Sequence, residues 1–151
     1  MTRVCVVGVD GSPEGAAALR FALEESRLRG IRLRVVCAWE ASAGAYVGEA
    51  FTPTADAYLE GERHAADVLR TAIDNLAPDA TLSVEAVAVE GHPATVLVEQ
   101  AHDAELLVVG SRGRGGAKSL VLGSTSLSVA QHAPCPVVIV PDAVPGGSPP
   151  G

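Results

Sequence analysis

The chain has 151 residues, 48% of them hydrophobic and 19% charged, a composition that excludes a disordered protein and a length that suits one domain with a real core. Its formal charge of −7 argues against a general nucleic-acid binder, which needs a basic footprint. No apolar run approaches the roughly 18–20 residues of a membrane span, and residues 1–10 read as a strand rather than a signal peptide.

Residues 4–9 and 33–39 are short, continuously apolar runs, the pattern of strands buried on both faces of a parallel sheet. Between them Ser12 can cap a helix that carries Pro13 at its first position and Glu14 in its first turn. Leu19, Ala22, Leu23 and Ser26 give that helix a narrow inward stripe, which ends near Gly30. Residues 40–53 show no clear period and are expected to be a lid or binding loop, or a disordered insertion. From Thr54 to about Leu76, the spacing of Ala65, Val68, Leu69, Ala72, Ile73 and Leu76 predicts a long amphipathic helix, stopped by Pro78.

Residues 82–89 alternate, with Ser83 and Glu85 opposite Leu82, Val84 and Ala86, as expected near a sheet edge. Pro93 opens a helix to about Asp103, residues 105–110 form a fourth strand, and the apolar spacing predicts a fourth helix over about 118–131. Residues 135–140, bracketed by Pro134 and Pro141, make a fifth strand, and the Pro- and Gly-rich residues 142–151 are expected to be a flexible tail. The order β-α-β-α-β-α-β-α-β predicts a single α/β domain over 1–141, a parallel sheet with helices on both faces. Cys5, Cys37 and Cys135 are odd in number and far apart, so buried strand cysteines and a reducing, cytoplasmic compartment are expected.

In an open α/β sheet, ligands bind beyond the carboxyl ends of the strands where the strand order reverses. Two loops carry functional residue types at such ends: Asp10-Gly11-Ser12 after the first strand, and residues 110–118 after the fourth. The second holds Arg112, Arg114 and Lys118 with no carboxylate, together with several glycines. Glycines let backbone N–H groups approach an anion, and a helix N-terminus adds its positive end. If the two strands are neighbours, Asp10 faces this loop, as a ligand for Mg²⁺ or a ribose hydroxyl; the alternative is a simple Asp-Gly turn. A plain flexible connection would also explain the glycines.

Two phosphate signatures fail. Walker A requires a second glycine where Gly116-Ala117-Lys118-Ser119 has Ala117, and the dinucleotide fingerprint, begun by Gly113-x-Gly115, meets Lys118 in place of its third glycine. The four histidines form no i, i+4 metal pair, and no nucleophile elbow or positioned dyad is present, so the chain offers no obvious catalytic residue.

The spacing Gly110-x2-Gly113-x9-Gly123-Ser124 resembles the Gly-2x-Gly-9x-Gly-Ser/Thr motif of ATP-binding universal stress proteins. The resemblance covers about residues 2–141 and includes Val6-Val7-Gly8-Val9-Asp10-Gly11-Ser12 and His132-Ala133-Pro134-Cys135-Pro136-Val137-Val138. It implies a Rossmann-like, adenine nucleotide alpha hydrolase-like three-layer sandwich with a five-stranded parallel sheet of order 3-2-1-4-5. It implies ATP and Mg²⁺ as ligands, with Asp10 at the ribose or the metal and the backbone at Val9 and Ala38 flanking adenine. Gly110, Arg112 and Gly113 would wrap the ribose and phosphates, and Gly123, Ser124 and Thr125 would hold phosphate at a helix that begins near Gly123. A homodimer through the fifth strand is also implied, and the uniformly apolar residues 137–140 independently call for a covered edge, by a second subunit or by the chain's own helices and tail. The expected function is regulatory, with a bound nucleotide setting conformation or partner choice. The alternatives are a slow ATPase or phosphotransfer enzyme at the same site, and a nucleotide-free dimeric interaction module.

Overall fold

The computed structural model describes residues 3–76, 81–112 and 122–141. In chain order its elements are β1 (Val4–Gly8), α1 (Pro13–Arg29), β2 (Arg32–Trp39), β3 (Gly44–Val47), β4 (Ala50–Pro53), α2 (Ala55–Leu76), β5 (Val84–Glu90), α3 (Pro93–Gln100), β6 (Leu106–Gly110), α4 (Ser124–His132) and β7 (Val137–Val140). Five strands pair in parallel in the order β5-β2-β1-β6-β7, while β3 and β4 form a separate antiparallel pair. With that pair set aside, the sheet runs third, second, first, fourth, fifth, the order expected, and β1 and β6 are neighbours.

Side-chain alternation along buried strands divides the core into two layers. Cys5, Val7, Leu33 and Val35 join Leu19 and Leu23 of α1 and Ala65 and Leu69 of α2 on one face. Val4, Val6, Val36 and Leu107 join Val96 and Leu97 of α3 and Val129 of α4 on the other. The stripe on α1 is buried as expected, from Gly15 through Ser26. Its start is fixed by Ser12, whose Oγ accepts from the Gly15 N–H at 3.1 Å, and Gly30 closes its end in the left-handed conformation.

Arg34 ties β2 to its neighbours at the pole of the sheet opposite the strand ends. Its guanidinium meets both Asp103 carboxylate oxygens (2.8 and 3.1 Å), Glu85 Oε2 (3.1 Å) and the Gln100 carbonyl (3.0 Å). The hydrogen bonds from Arg34 hold the Asp103 carboxyl below the usual carboxylate range.

Several expectations shift. Residues 40–53 are not an irregular loop: most of them form a hairpin, with Tyr46 opposite Phe51 and a two-residue turn in which Gly48 has φ +65°. The interspersed alanines dilute its alternation in the sequence. The third helix ends at Gln100 rather than near Asp103, where Arg34 takes its last carbonyl. The fourth begins at Ser124, as the family resemblance implied, and later than about 118 as the apolar spacing suggested. Cys5 and Cys37 are buried, but Cys135 is only half-buried and precedes β7. Pro78 and residues 142–151 lie outside the described residues. Among the described residues, no helix is long and apolar enough to cross a membrane.

Candidate functional site

A cavity of about 390 Å³ opens at the carboxyl ends of β1, β2 and β6. Apolar walls come from Val9, Val36, Ala38 and Val109 and from Pro93 and Leu97 of α3. Polar groups come from Asp10, Ser12, Arg112, Ser124, Thr125 and Ser126. Of the residues singled out in the sequence, Val9, Asp10, Ala38, Gly110, Arg112, Gly123, Ser124 and Thr125 all line this one cavity. Gly113, with Arg114 and Lys118, lies outside the described residues.

The Asp10 side of the cavity is built by local chemistry. Asp10 Oδ1 accepts from the Ser12 N–H at 2.9 Å and also from the Ser12 hydroxyl. Ser12 Oγ in turn accepts from the Gly15 N–H, and the residue is 7% exposed. The serine is therefore engaged as a helix cap that holds the carboxylate still, rather than being poised as a nucleophile. The Asp10 charge reaches the sheet beneath it: burial, then the nearby Asp10 carboxylate, push the Cys37 thiol up to about 11.

The opposite side is built by the connection from β6 to α4. The Ser111 N–H donates to the Val140 carbonyl at 2.8 Å, and the Ser111 carbonyl accepts from the Gly123 N–H at 2.7 Å. Ser126 turns its hydroxyl inward, donating to the same Ser111 carbonyl at 2.8 Å with the Gly123 carbonyl 3.0 Å away. These bonds bring the start of α4 back to the end of β6. Gly123, the capping residue, has no side chain to cover the first-turn N–H groups, so the positive end of α4 is presented to the cavity. The starts of α1 and α3 line the same space through Gly15 and Pro93. An apolar slot next to converging helix starts can hold a flat apolar group together with an anion, despite the chain's negative charge.

The sequence marks Ser12 both as a helix cap and as part of the Asp10-Gly11-Ser12 loop, while Gly15 and Ser126 carry no mark in it. Gly15 had no signal beyond its place in the first turn of α1. Ser126 sits three residues after the cap, and only the packed structure turns it toward Ser111. Among the described residues no group of three or more His, Cys, Asp or Glu side chains is placed to hold a metal ion. Asp10 is therefore a single carboxylate, of a kind that can hold Mg²⁺ only together with ligand oxygens.

Residues 1–141 match the model of the Universal stress protein family. A universal stress protein of Mycobacterium tuberculosis is 34% identical over 137 residues, which cover 89% of this chain and 46% of that protein. The chain thus spans about half the length of the mycobacterial relatives it matches. A universal stress protein of Thermus aquaticus is 34% identical over 142 residues, covering 93% of this chain and 99% of the relative. Among solved structures, a universal stress protein in complex with cAMP superposes with a TM-score of 0.68 at 28% identity, over 94% of this chain and 98% of that one.

Proposed function

The chain belongs to the Universal stress protein family, and on that premise we propose that it is an ATP-binding regulatory protein of the stress response. One observation carries the proposal: the structure brings Asp10 and the open helix start at Gly123, Ser124 and Thr125 to the same apolar-floored cavity. Val9 and Ala38 would flank adenine, and Asp10 would meet the ribose or a phosphate-bound Mg²⁺. Gly110, Arg112 and Gly113 would wrap the ribose and phosphates, with Gly123, Ser124 and Thr125 completing the phosphate site. The cAMP complex of a related universal stress protein supports an adenine nucleotide as the ligand. With Ser12 engaged as a cap, binding without rapid chemistry is the reading favoured over an ATPase or a phosphotransfer enzyme.

We also propose a homodimer through β7. That strand lies at the end of the sheet, and its Val137, Val138, Ile139 and Val140 side chains are only half-buried.

Mass spectrometry of nucleotide released from the purified protein, with calorimetry of ATP in millimolar Mg²⁺, tests the nucleotide proposal. ATP release, and binding weakened by about tenfold or more in Asp10→Ala or Gly113→Ala, is expected. Absence of ATP binding at millimolar nucleotide overturns it. ADP formation well above that of Ser124→Ala would favour an enzyme instead.

A further inference from the structure

We propose that the β3–β4 hairpin and the first turns of α2 form a docking surface for a cationic amphipathic helix of a partner protein. This surface is separate from the nucleotide cavity, and the proposal does not depend on what that cavity holds.

Three observations converge on it. The first is exposed apolar area. Among the described residues, five of the eight exposed large hydrophobic side chains fall within residues 46–59: Tyr46 (73%), Val47 (73%), Phe51 (41%), Tyr58 (38%) and Leu59 (59%). The Tyr46 and Phe51 rings lie 5.2 Å apart, and Tyr58 packs edge-on against the half-buried Trp39 at 5.2 Å. The hairpin base adjoins α2 directly, since the Thr54 N–H donates to the Ala43 carbonyl and the Tyr58 N–H to the Thr54 carbonyl.

The second observation is that the hairpin is incomplete as a folding unit. Its residues are exposed on both faces except for the half-buried Pro53, and it pairs with no strand of the main sheet. An isolated two-stranded hairpin is marginal in water, and an aromatic face left uncovered on one is the usual mark of a contact surface.

The third is charge, which selects the occupant. Between Arg34 and Arg63 the chain has no lysine or arginine, but it carries Glu40, Glu49, Asp56, Glu60 and Glu62, all exposed. An exposed aromatic segment whose charges are all acidic complements an apolar stripe flanked by lysine or arginine. A second copy of this chain would set the same acidic segment against itself, and an anionic membrane would be repelled as well.

The test uses the full chain and a synthetic helix of about 18 residues with leucine on one face and lysine on the other. Trp39, the only tryptophan of the chain, reports binding by fluorescence beside Tyr58. Saturable binding is expected, weakening with salt and falling by about tenfold or more in Tyr46→Ser/Phe51→Ser. Glu49→Gln/Glu60→Gln should weaken it severalfold and flatten the salt dependence, while Leu28→Ser, which removes an exposed apolar side chain of α1, should leave it unchanged. Thermal melts of each variant confirm that the domain remains folded. No saturable binding at low salt overturns the proposal, as does equal binding by Tyr46→Ser/Phe51→Ser or by a glutamate-faced helix of the same pattern. Self-association or vesicle binding that is lost in Tyr46→Ser/Phe51→Ser, without helix binding, assigns the surface to another occupant and also overturns it.

Discussion

A Cβ placed on Gly110 would lie 2.9 Å from the carbonyl carbon, the carbonyl oxygen and the Cβ of Glu14. The end of β6 thus meets the first turn of α1 with no room for a side chain, and most of what it meets is backbone. Gly110 is needed by the fold before any ligand is considered.

Gly110→Ala is therefore expected to destabilise the nucleotide-free protein by ~1–3 kcal/mol, the usual cost of overpacking. Urea denaturation in the absence of nucleotide measures this. An unchanged midpoint would show that β6 and α1 can separate without cost, and that the glycine serves the ligand alone.

Ser12→Ala removes the cap of α1 and one of the groups that steady Asp10. A loss of about 1 kcal/mol is expected from the cap. ATP binding should weaken as well, because Asp10 loses the hydroxyl that holds its carboxylate in place. Paired thermal melts and calorimetry separate the two effects, and Ser12→Thr, which keeps the hydroxyl, should recover most of both.

Asp103→Asn loses the two-point contact with Arg34 and is expected to cost about 1 kcal/mol at neutral pH, since Asp103 is largely exposed. The contact holds the folded-state carboxyl below its unfolded value. Its contribution is thus present above about pH 4 and is lost as pH falls through the lower folded value. The stability difference between the native chain and Asp103→Asn should shrink below pH 4 in denaturation curves collected across that range.

Burial pushes both the Cys5 and Cys37 thiols up to about 11. The unfolded chain ionises near pH 8.5, so stability is full below that value and falls as pH rises toward the folded one. Stability measured from about pH 8.5 to 10 should decline less steeply in Cys5→Ala/Cys37→Ala than in the native chain. Parallel slopes would place other groups in charge of the alkaline loss.

The carbonyls of Pro136, just before β7, and of Val140, at its end, accept from the Leu107 and Ser111 N–H groups. By strand alternation, the backbone groups of Val137 and Ile139 point to the open edge. Val137→Pro removes an outward N–H while sparing the β6 ladder. Under the proposed β7 dimer, sedimentation equilibrium should show a smaller dimer fraction than in the native chain, and an unchanged fraction would overturn that contact.

The strands of the main sheet were legible because buried parallel strands write themselves as unbroken apolar runs, such as residues 4–9 and 106–110, whereas their order in the sheet was implied by the family resemblance alone. The helices were legible through their 3.6-residue spacing, the cap at Ser12 and the first-position proline Pro93. The β3–β4 hairpin was not. Tyr46 and Phe51 pair across it, but alanines on neighbouring positions blur the two-residue period, and no long-range partner marks it in the chain.

The site divides in the same way. By itself the sequence determined the residue types and their spacing: a carboxylate after one strand, and a glycine-spaced helix start after another. Those are local properties, because strand ends, turns and helix caps are settled within a few residues. Only the tertiary structure decided that β1 and β6 lie side by side, so that Asp10 and Gly123 share one cavity. It alone turned Ser126 inward onto the Ser111 carbonyl, and it alone left the aromatic hairpin standing outside the core. Each of these depends on contacts between residues far apart in the chain. Their energies come from burial and hydrogen bonding that no local pattern records.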